Sequence, residues 1–426
     1  MSHPLTDKQQ ILLTGGEFDE PESATIPSWL RYVTDTANLT PGLPELTIYF
    51  GPDRYCCLKV AFAKDHASLK LFELELLFLD DQYASGIFSD NTLGSAESNE
   101  WSNWILKLFQ HEELETLTVP FQNLTLPDHF DKLPKLNSAD LSNSKLRELP
   151  PSFYQLRRLQ YLNIVHSGIQ EVPATIANFP LRSFSFSQHF QPTLFTQLPN
   201  IVELRCFHNA FIVPDEIAQL TQLTSLYIAS VSQATDILLH LPKLEKLVIR
   251  FKNSSIVLAA NPSTLPNLRE LDTDNPEIFA DILENLKSLE RLTMRGKAKT
   301  SVIRKIETSL SNLEKLQHLS LEGIGIINLD WCTSLLILEY LDLSSNAIDR
   351  IPSGFANLQK LKTLILRKNP IATIPDLSPM PSVTFIDLEG TKIPWDPAAS
   401  TDLQPAPEEL IRLKRIFPNV AYLALM

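Results

Sequence analysis

The chain has 426 residues, 44% of them hydrophobic, which is enough apolar material for an extended core or for two or three domains. It carries 37 lysines and arginines against 50 aspartates and glutamates, a formal net charge of −13 that argues against general binding to phosphate backbones. No apolar run reaches the roughly 18 residues that a membrane span requires, and the first ten residues do not read as a secretory signal.

The four cysteines are Cys56, Cys57, Cys206 and Cys332, and their spacing fits neither a metal site nor a disulfide framework. We therefore expect reduced thiols and a cytoplasmic protein. The acidic charge argues against nucleic acid as a partner, and the lack of a long apolar run argues against a membrane. We also expect a monomer.

Residues 1–42 are rich in polar residues and breakers, which predicts a flexible lead-in. In residues 43–113, apolar residues alternate at 43–48, 58–62 and 69–79, as is typical of strands. Further on, Trp101, Trp104, Ile105, Leu108 and Phe109 share one face of a predicted helix. We interpret 43–113 as an N-terminal cap with degenerate repeats and a helix. The alternative is an independent functional domain.

A repeat begins at residue 114, and most of its steps are 20 to 24 residues long. In each unit the residues three and five positions after the first are apolar or nearly so, which predicts one short strand per unit. The thirteen units begin at Leu114, Leu136, Leu159, Leu181, Ile201, Leu223, Leu244, Leu268, Leu289, Leu316, Leu338, Leu361 and Val383.

The unit at 338–361 shows most clearly how a single repeat is built. Leu341 and Leu343 are two residues apart and point to one face of a strand, and Asn346 follows where the chain must turn. Phe355 and Leu358 then supply a second apolar layer. Such a unit cannot bury its apolar face alone, so it needs a copy of itself on each side.

Over residues 114–426 the chain resembles the leucine-rich repeat family, in its intracellular and bacterial class. The resemblance rests on the strand pattern and on the apolar–proline steps at Leu149–Pro150, Val172–Pro173, Ile351–Pro352 and Ile374–Pro375. It implies an α/β fold, a leucine-rich-repeat solenoid or horseshoe with a parallel β-sheet on its concave side. An N-terminal α/β cap would precede repeats at 114–405, and a C-terminal helix–strand cap would follow at 406–426.

The family's asparagine ladder is retained only at Asn209, Asn346 and Asn369. His189 and Val231 are among the residues that occupy the position elsewhere, so we expect less regular turns over residues 181–316. At the other end, Pro407 with two following glutamates predicts the start of the capping helix. We expect no ligase or kinase domain after this cap.

No motif for a zinc protease, a phosphate-binding loop, a serine nucleophile or a dinucleotide site is present, and only 12 glycines are available. Cys206 falls on an inward strand position and is predicted to lie in the core. Cys332 lies in a loop and would need a nearby base to act as a nucleophile. We expect no catalytic residue, no cofactor and no metal.

The candidate site is a surface. In the family, side chains between and just after the strand leucines project from the concave sheet, and in the third to seventh repeats these are rich in aromatic and basic residues. The predicted partner-binding residues are Tyr161, His166, Arg205, Phe207, His208, Tyr227, Lys246, Arg250 and Phe251. The alternative is that these side chains only pack on one another across strands.

These patterns favour a non-catalytic scaffold or adaptor that binds a protein on the concave face. A second hypothesis is a secreted bacterial effector or ubiquitin-ligase-like enzyme, with the repeats as substrate receptor and residues 43–113 as the catalytic module. A third is a regulatory subunit of a phosphatase or GTPase.

Overall fold

A computed structural model describes the backbone of residues 9–12, 45–50, 56–65 and 68–78. It further describes residues 114–118, 126, 128–144, 146–233, 241–252, 265–375, 377–393 and 407–424. The chain divides into two compact units, residues 1–208 (unit 1) and 209–426 (unit 2). Each is described by itself.

Unit 1 combines an antiparallel group of strands with a parallel series. The strands are β1 Gln9–Leu12, β2 Glu45–Phe50, β3 Cys56–Asp65, β4 Ser68–Phe78, β5 Thr116–Thr118, β6 Ser138–Asp140, β7 Tyr161–Asn163, β8 Ser183–Phe186 and β9 Glu203–Cys206. β1 is parallel to β2, the strands β2 to β4 are antiparallel, and β4 to β9 follow one another in parallel.

All strands described in unit 2 are parallel and pair in chain order. They are β10 Phe211–Ile212, β11 Ser225–Gln233, β12 Lys246–Phe251, β13 Glu270–Thr273, β14 Arg291–Arg295, β15 His318–Glu322, β16 Tyr340–Asp342, β17 Thr363–Ile365, β18 Phe385–Asp387 and β19 Tyr422–Ala424. The α-helices are α1 Pro276–Phe279, α2 Thr300–Leu310 and α3 Pro407–Ile416.

Each of the thirteen predicted repeat starts precedes a strand, so the solenoid prediction is confirmed in both units. Neighbouring strands pair without slippage at the central apolar residue, as Leu319 with Leu341 and Leu341 with Leu364. These side chains are buried, and the residues on either side of each alternate to the outside. We call that outward side of the parallel strands the strand face of each unit.

The return segments explain the apolar–proline steps. Pro150, Pro173 and Pro352 are extended and each precedes a short 3-10 helix, because proline fixes φ and suits the start of a helical turn. One apolar residue in each of these three helices is buried in the core, namely Phe153, Ile176 and Phe355. The 3-10 helices are Phe130–Lys132, Pro151–Gln155, Ala174–Asn178, Pro192–Gln197, Asp215–Gln219, Leu283–Asn285, Asp330–Ser334 and Ser353–Asn357.

The asparagine ladder is present at two of the three predicted positions. Asn346 and Asn369 are buried and bind backbone groups of neighbouring turns, but Asn209 is exposed. In the repeat of Asn209, the residue with a left-handed backbone is Ala210, nine residues after the repeat start. In the repeat of Asn346 it is Ser345, only seven residues after the repeat start. In the fourth repeat the ladder residue is Gln188 rather than His189, since its buried amide donates to the Ile164 carbonyl at 2.7 Å.

The expected irregularity over residues 181–316 is confirmed in unit 2. β11 extends to nine residues because Val231, at the ladder position, continues the strand and pairs with β10 and β12. The α-helices α1 and α2 occupy the returns after β13 and β14. In the long return segment between β14 and β15, Ile306 and Leu310 of α2 face the core.

At the two ends of the chain, strands lie where the alternation predicts them at 43–79. Gln9–Leu12, within the predicted flexible lead-in, instead pairs with β2, because an extended segment beside a strand satisfies its backbone groups. The predicted helix over 99–113 lies outside the described residues. At the C-terminus, α3 begins at Pro407 as predicted, Leu413 and Phe417 are buried, and β19 pairs with β18.

Candidate partner-binding surface

On the strand face of unit 1, Tyr161 and Arg205 both lie where predicted. Ser183 pairs with Tyr161 on one side and with Glu203 on the other, and its hydroxyl donates to the Glu203 carboxylate at 2.8 Å. Arg205 donates to the same carboxylate at 2.8 Å. Burial, and then the charge of Asp140, raise the pKa of Tyr161, so its phenol is protonated at neutral pH.

The turns that follow these strands bring four rings together in two pairs. The ring of His166 lies 6.4 Å from that of Phe207, and the ring of His189 lies 4.7 Å from that of His208. His166 is exposed and has a left-handed backbone with φ of 55°. The sequence predicted three of these four residues, but His189 was interpreted only as a substituted ladder position.

In unit 2, Lys246 and Arg250 lie on the strand face, but each is paired within the chain. Lys246 Nζ lies 2.9 Å from Glu270, and Arg250 Nη2 lies 2.7 Å from Asp272. The side chains of Arg250 and Asp272 are only 25% and 22% exposed, so this pair is more shielded than an ordinary surface ion pair. The half-buried Tyr227 lies on β11.

The placement of Phe251 on the strand face is wrong. Phe251 alternates with Arg250 along β12, and successive strand residues point to opposite sides. It is also in register with Val231, which is wholly buried. Phe251 is therefore half-buried on the core side, and its backbone N–H donates to Asp274 at 2.9 Å.

The paired charges extend further along unit 2. Asp272 accepts from Arg250 and also lies 3.5 Å from Arg295, which in turn lies 3.8 Å from Glu322. Arginines and carboxylates thus alternate across β12, β13, β14 and β15. Because these charges neutralise one another, this part of the strand face has little unbalanced charge to attract a ligand.

The adjacent strands carry an aromatic row that sequence reasoning missed. His318 and Tyr340 are in register, and their rings stack with centroids 4.0 Å apart and planes 10° apart. Thr363 and then Phe385 continue the same row on β17 and β18. All four side chains are partly exposed. We call these four residues the aromatic row. Comparing the third position of successive repeats would have found it.

His318 is neutral at neutral pH. Burial, followed by the nearby Arg291 guanidinium, lowers the pKa of His318 from 6.5 to about 4, although Asp342 and Glu270 oppose the shift. An uncharged imidazole stacked on a phenol presents a flat, largely apolar surface with polar edges. This is the kind of surface that suits a buried anchor residue of a protein partner.

The described cysteines have no suitable environment for nucleophilic catalysis. Cys206 and Cys332 are wholly buried, as predicted for Cys206, and burial raises the pKa of both thiols. The Cys332 thiol donates to the Leu329 carbonyl at 3.0 Å. Residues 79–113, on which much of the enzyme hypothesis depends, lie outside the described residues.

The described residues include neither a larger cluster of metal ligands nor a membrane-spanning helix. Among the residues placed by the structure, no group of three or more histidines, cysteines or carboxylates could hold a metal ion. No helix among them is long and apolar enough to cross a membrane.

Comparisons with known proteins agree with the repeat architecture. The family model described as "Leucine rich repeat" matches residues 323–371 and 338–393. No curated protein matches the sequence.

Among solved structures, a leucine-rich repeat protein of Leptospira interrogans is similar with a TM-score of 0.56 and 21% identity, covering 74% of this chain and 85% of that one. An internalin, InlF, of Listeria monocytogenes has a TM-score of 0.47 and 18% identity over 81% of this chain and 94% of its own. The plant peptide hormone receptor RGFR1, solved with RGF2, has a TM-score of 0.48 and 19% identity over 75% and 56% of the two chains.

The first of these similarities shows the fold. With a strand after each of the thirteen repeat starts, the buried asparagines and the family match within residues 323–393, it shows that the chain has the leucine-rich repeat fold.

Proposed function

We propose that the chain is a non-catalytic scaffold that binds a protein partner on the strand face of unit 2, with the aromatic row as the anchor site. The leucine-rich repeat fold supports this, because stacked repeats create an extended binding surface. The observation that carries the proposal is the stack of His318 on Tyr340, partly exposed and continued by Thr363 and Phe385.

The aromatic row is a stronger candidate than the paired charges beside it. Aromatic side chains supply a large contact area at low entropic cost and are enriched in binding hot spots. A partner that contacts Arg250 or Lys246 would have to compete with Asp272 or Glu270. Tyr161, Arg205 and the other predicted residues of unit 1 remain proposed contacts, and cytoplasmic location remains a prediction.

Affinity capture from the native cell tests the proposal. Full-length protein, a His318→Ala and Tyr340→Ala double variant, and a matched control would serve as baits, with quantitative mass spectrometry of what each retains. The control is Ser301→Ala with Arg304→Ala, two exposed positions on α2, which lies in a return segment rather than on the strand face. We expect the control to retain the partner and the aromatic variant to lose it.

Two results would overturn the proposal. Equal capture by the aromatic variant, with its fold verified by circular dichroism, would remove the site. Formation of ubiquitin chains by the purified protein with activating and conjugating enzymes would replace the scaffold with the ligase hypothesis. A captured phosphatase or GTPase would identify the partner class and support the regulatory form of the scaffold.

A further inference from the structure

Two histidines on successive turns of unit 1 face each other closely. Nε2 of His208 lies 3.3 Å from Nδ1 of His189, with the two rings inclined at 64°. His189 is exposed and His208 is half-buried. Solvent therefore reaches the pair, and the proposed anchor site, the aromatic row, includes neither histidine.

The separation of the two nitrogens suits a shared metal ion. Imidazole nitrogens bind Zn²⁺ at about 2.0–2.1 Å, and two such ligands at a tetrahedral angle lie about 3.3–3.4 Å apart. The observed 3.3 Å falls at this value. It is longer than the roughly 2.9–3.0 Å typical of hydrogen bonds donated by nitrogen.

The backbone under each ring is fixed by the repeat architecture. His189 forms an isolated parallel bridge with Glu171, and its carbonyl accepts a hydrogen bond from Val172 at 2.7 Å. His208 follows the wholly buried Cys206 by two residues. Since both main chains are anchored, bringing the two rings together costs little additional ordering.

The protonation state also favours metal binding. Burial, and then the neighbouring His189, lower the pKa of His208 below its usual 6.5. The His208 ring is therefore neutral at neutral pH, and a neutral imidazole can bind a metal without first releasing a proton.

We propose that His189 and His208 together bind one divalent transition-metal ion of the Zn²⁺, Ni²⁺ and Cu²⁺ class, through Nδ1 and Nε2 respectively. Water completes the coordination, because the described residues supply no third histidine, cysteine or carboxylate to the group. Imidazole prefers these ions to Mg²⁺, which favours oxygen ligands.

Carbethoxylation of the full chain with diethylpyrocarbonate, read by peptide mass spectrometry, tests the site without any mutation. Zn²⁺ should slow modification of both His189 and His208 by about tenfold, because the metal occupies the nitrogen that reacts. His166, exposed on an adjacent turn with its ring 6.4 Å from Phe207, is the internal control and should react at the same rate with or without the metal. Mg²⁺ should protect neither histidine.

Calorimetric titration with Zn²⁺ gives the second measurement. His189→Ala and His208→Ala should each lose one binding event that the wild type and His166→Ala retain. Unprotected His189 and His208 at a Zn²⁺ concentration that saturates the titration would overturn the proposal. Identical titrations of the wild type and both variants would also overturn it.

Discussion

Replacing Asn346 with alanine removes hydrogen bonds that join successive turns of unit 2. The Asn346 side-chain oxygen accepts from the backbone N–H groups of Gly325 at 2.8 Å and Ile326 at 2.9 Å. Its amide donates to the carbonyls of Leu321 at 2.7 Å and Leu343 at 2.8 Å. The side chain is 9% exposed, so these backbone groups have little access to water.

The loss of stability in Asn346→Ala depends on which backbone groups lose their hydrogen-bond partner. The Leu343 carbonyl retains a hydrogen bond from Asn369, at 2.8 Å. The N–H groups of Gly325 and Ile326 both lose the Asn346 oxygen, and the Leu321 carbonyl loses the Asn346 amide. Each buried group left unsatisfied lowers the free energy of unfolding by about 1–3 kcal/mol. Water that enters the space vacated by the side chain recovers part of this. We therefore expect Asn346→Ala to lower the free energy of unfolding by about 2–4 kcal/mol.

Asn209→Ala is the matched control, because it makes the same chemical change in the same unit at an exposed position. A substitution there should change stability by less than about 0.5 kcal/mol. Urea unfolding followed by circular dichroism measures both variants, and hydrogen exchange should show faster exchange near Gly325 in Asn346→Ala only. Equal destabilisation by the two variants, or none by Asn346→Ala, would refute the assignment of the ladder.

Three further predictions concern the core and the titrating groups. Phe153→Ala should destabilise unit 1 by about 3–5 kcal/mol in urea unfolding, because the ring is wholly buried and packs edge-on against two other phenylalanines. A loss below about 1 kcal/mol would contradict that packing. His318 has a folded pKa of about 4 against 6.5 unfolded, so the unfolded state binds more protons and stability falls as the pH drops from 6.5 towards 4. The unfolding midpoint of His318→Gln should decline less over that range, and equal slopes would contradict the shift. The thiols of Cys206 and Cys332 should resist Ellman's reagent in the native protein and react in denaturant, because both are buried and have raised pKa values. Rapid reaction of either of these two thiols in the native protein would refute their burial.

Periodicity made the fold predictable. Leucine spacing reports burial directly, and a unit with an unburied apolar face requires neighbours. The apolar–proline steps likewise predicted where strands return, since proline fixes the backbone before each short helix.

Shifts of one or two residues were not predictable by counting from the leucines. Gln188 replaces His189 in the ladder, and Asn209 becomes exposed, because the turns in those repeats place the ladder and left-handed positions differently. Phe251 was misplaced for a related reason. The side of a strand residue depends on where the strand ends, and β12 continues past the last expected inward residue.

The candidate surface depended on contacts between residues about 22 positions apart. His318 and Tyr340 form a site only because the parallel register places them side by side. The same register pairs Lys246 with Glu270, which reduces the charge available to a ligand. Composition within one repeat shows neither effect, whereas aligning equivalent positions of adjacent repeats shows both.

Photo-crosslinking is the most direct test of partner binding by the aromatic row. A benzoylphenylalanine at Thr363, between Tyr340 and Phe385 in the row, should crosslink the captured partner in native extract. The same probe at Arg304, exposed on α2, should not. Crosslinking from Arg304 with none from Thr363 would contradict binding on the strand face of unit 2.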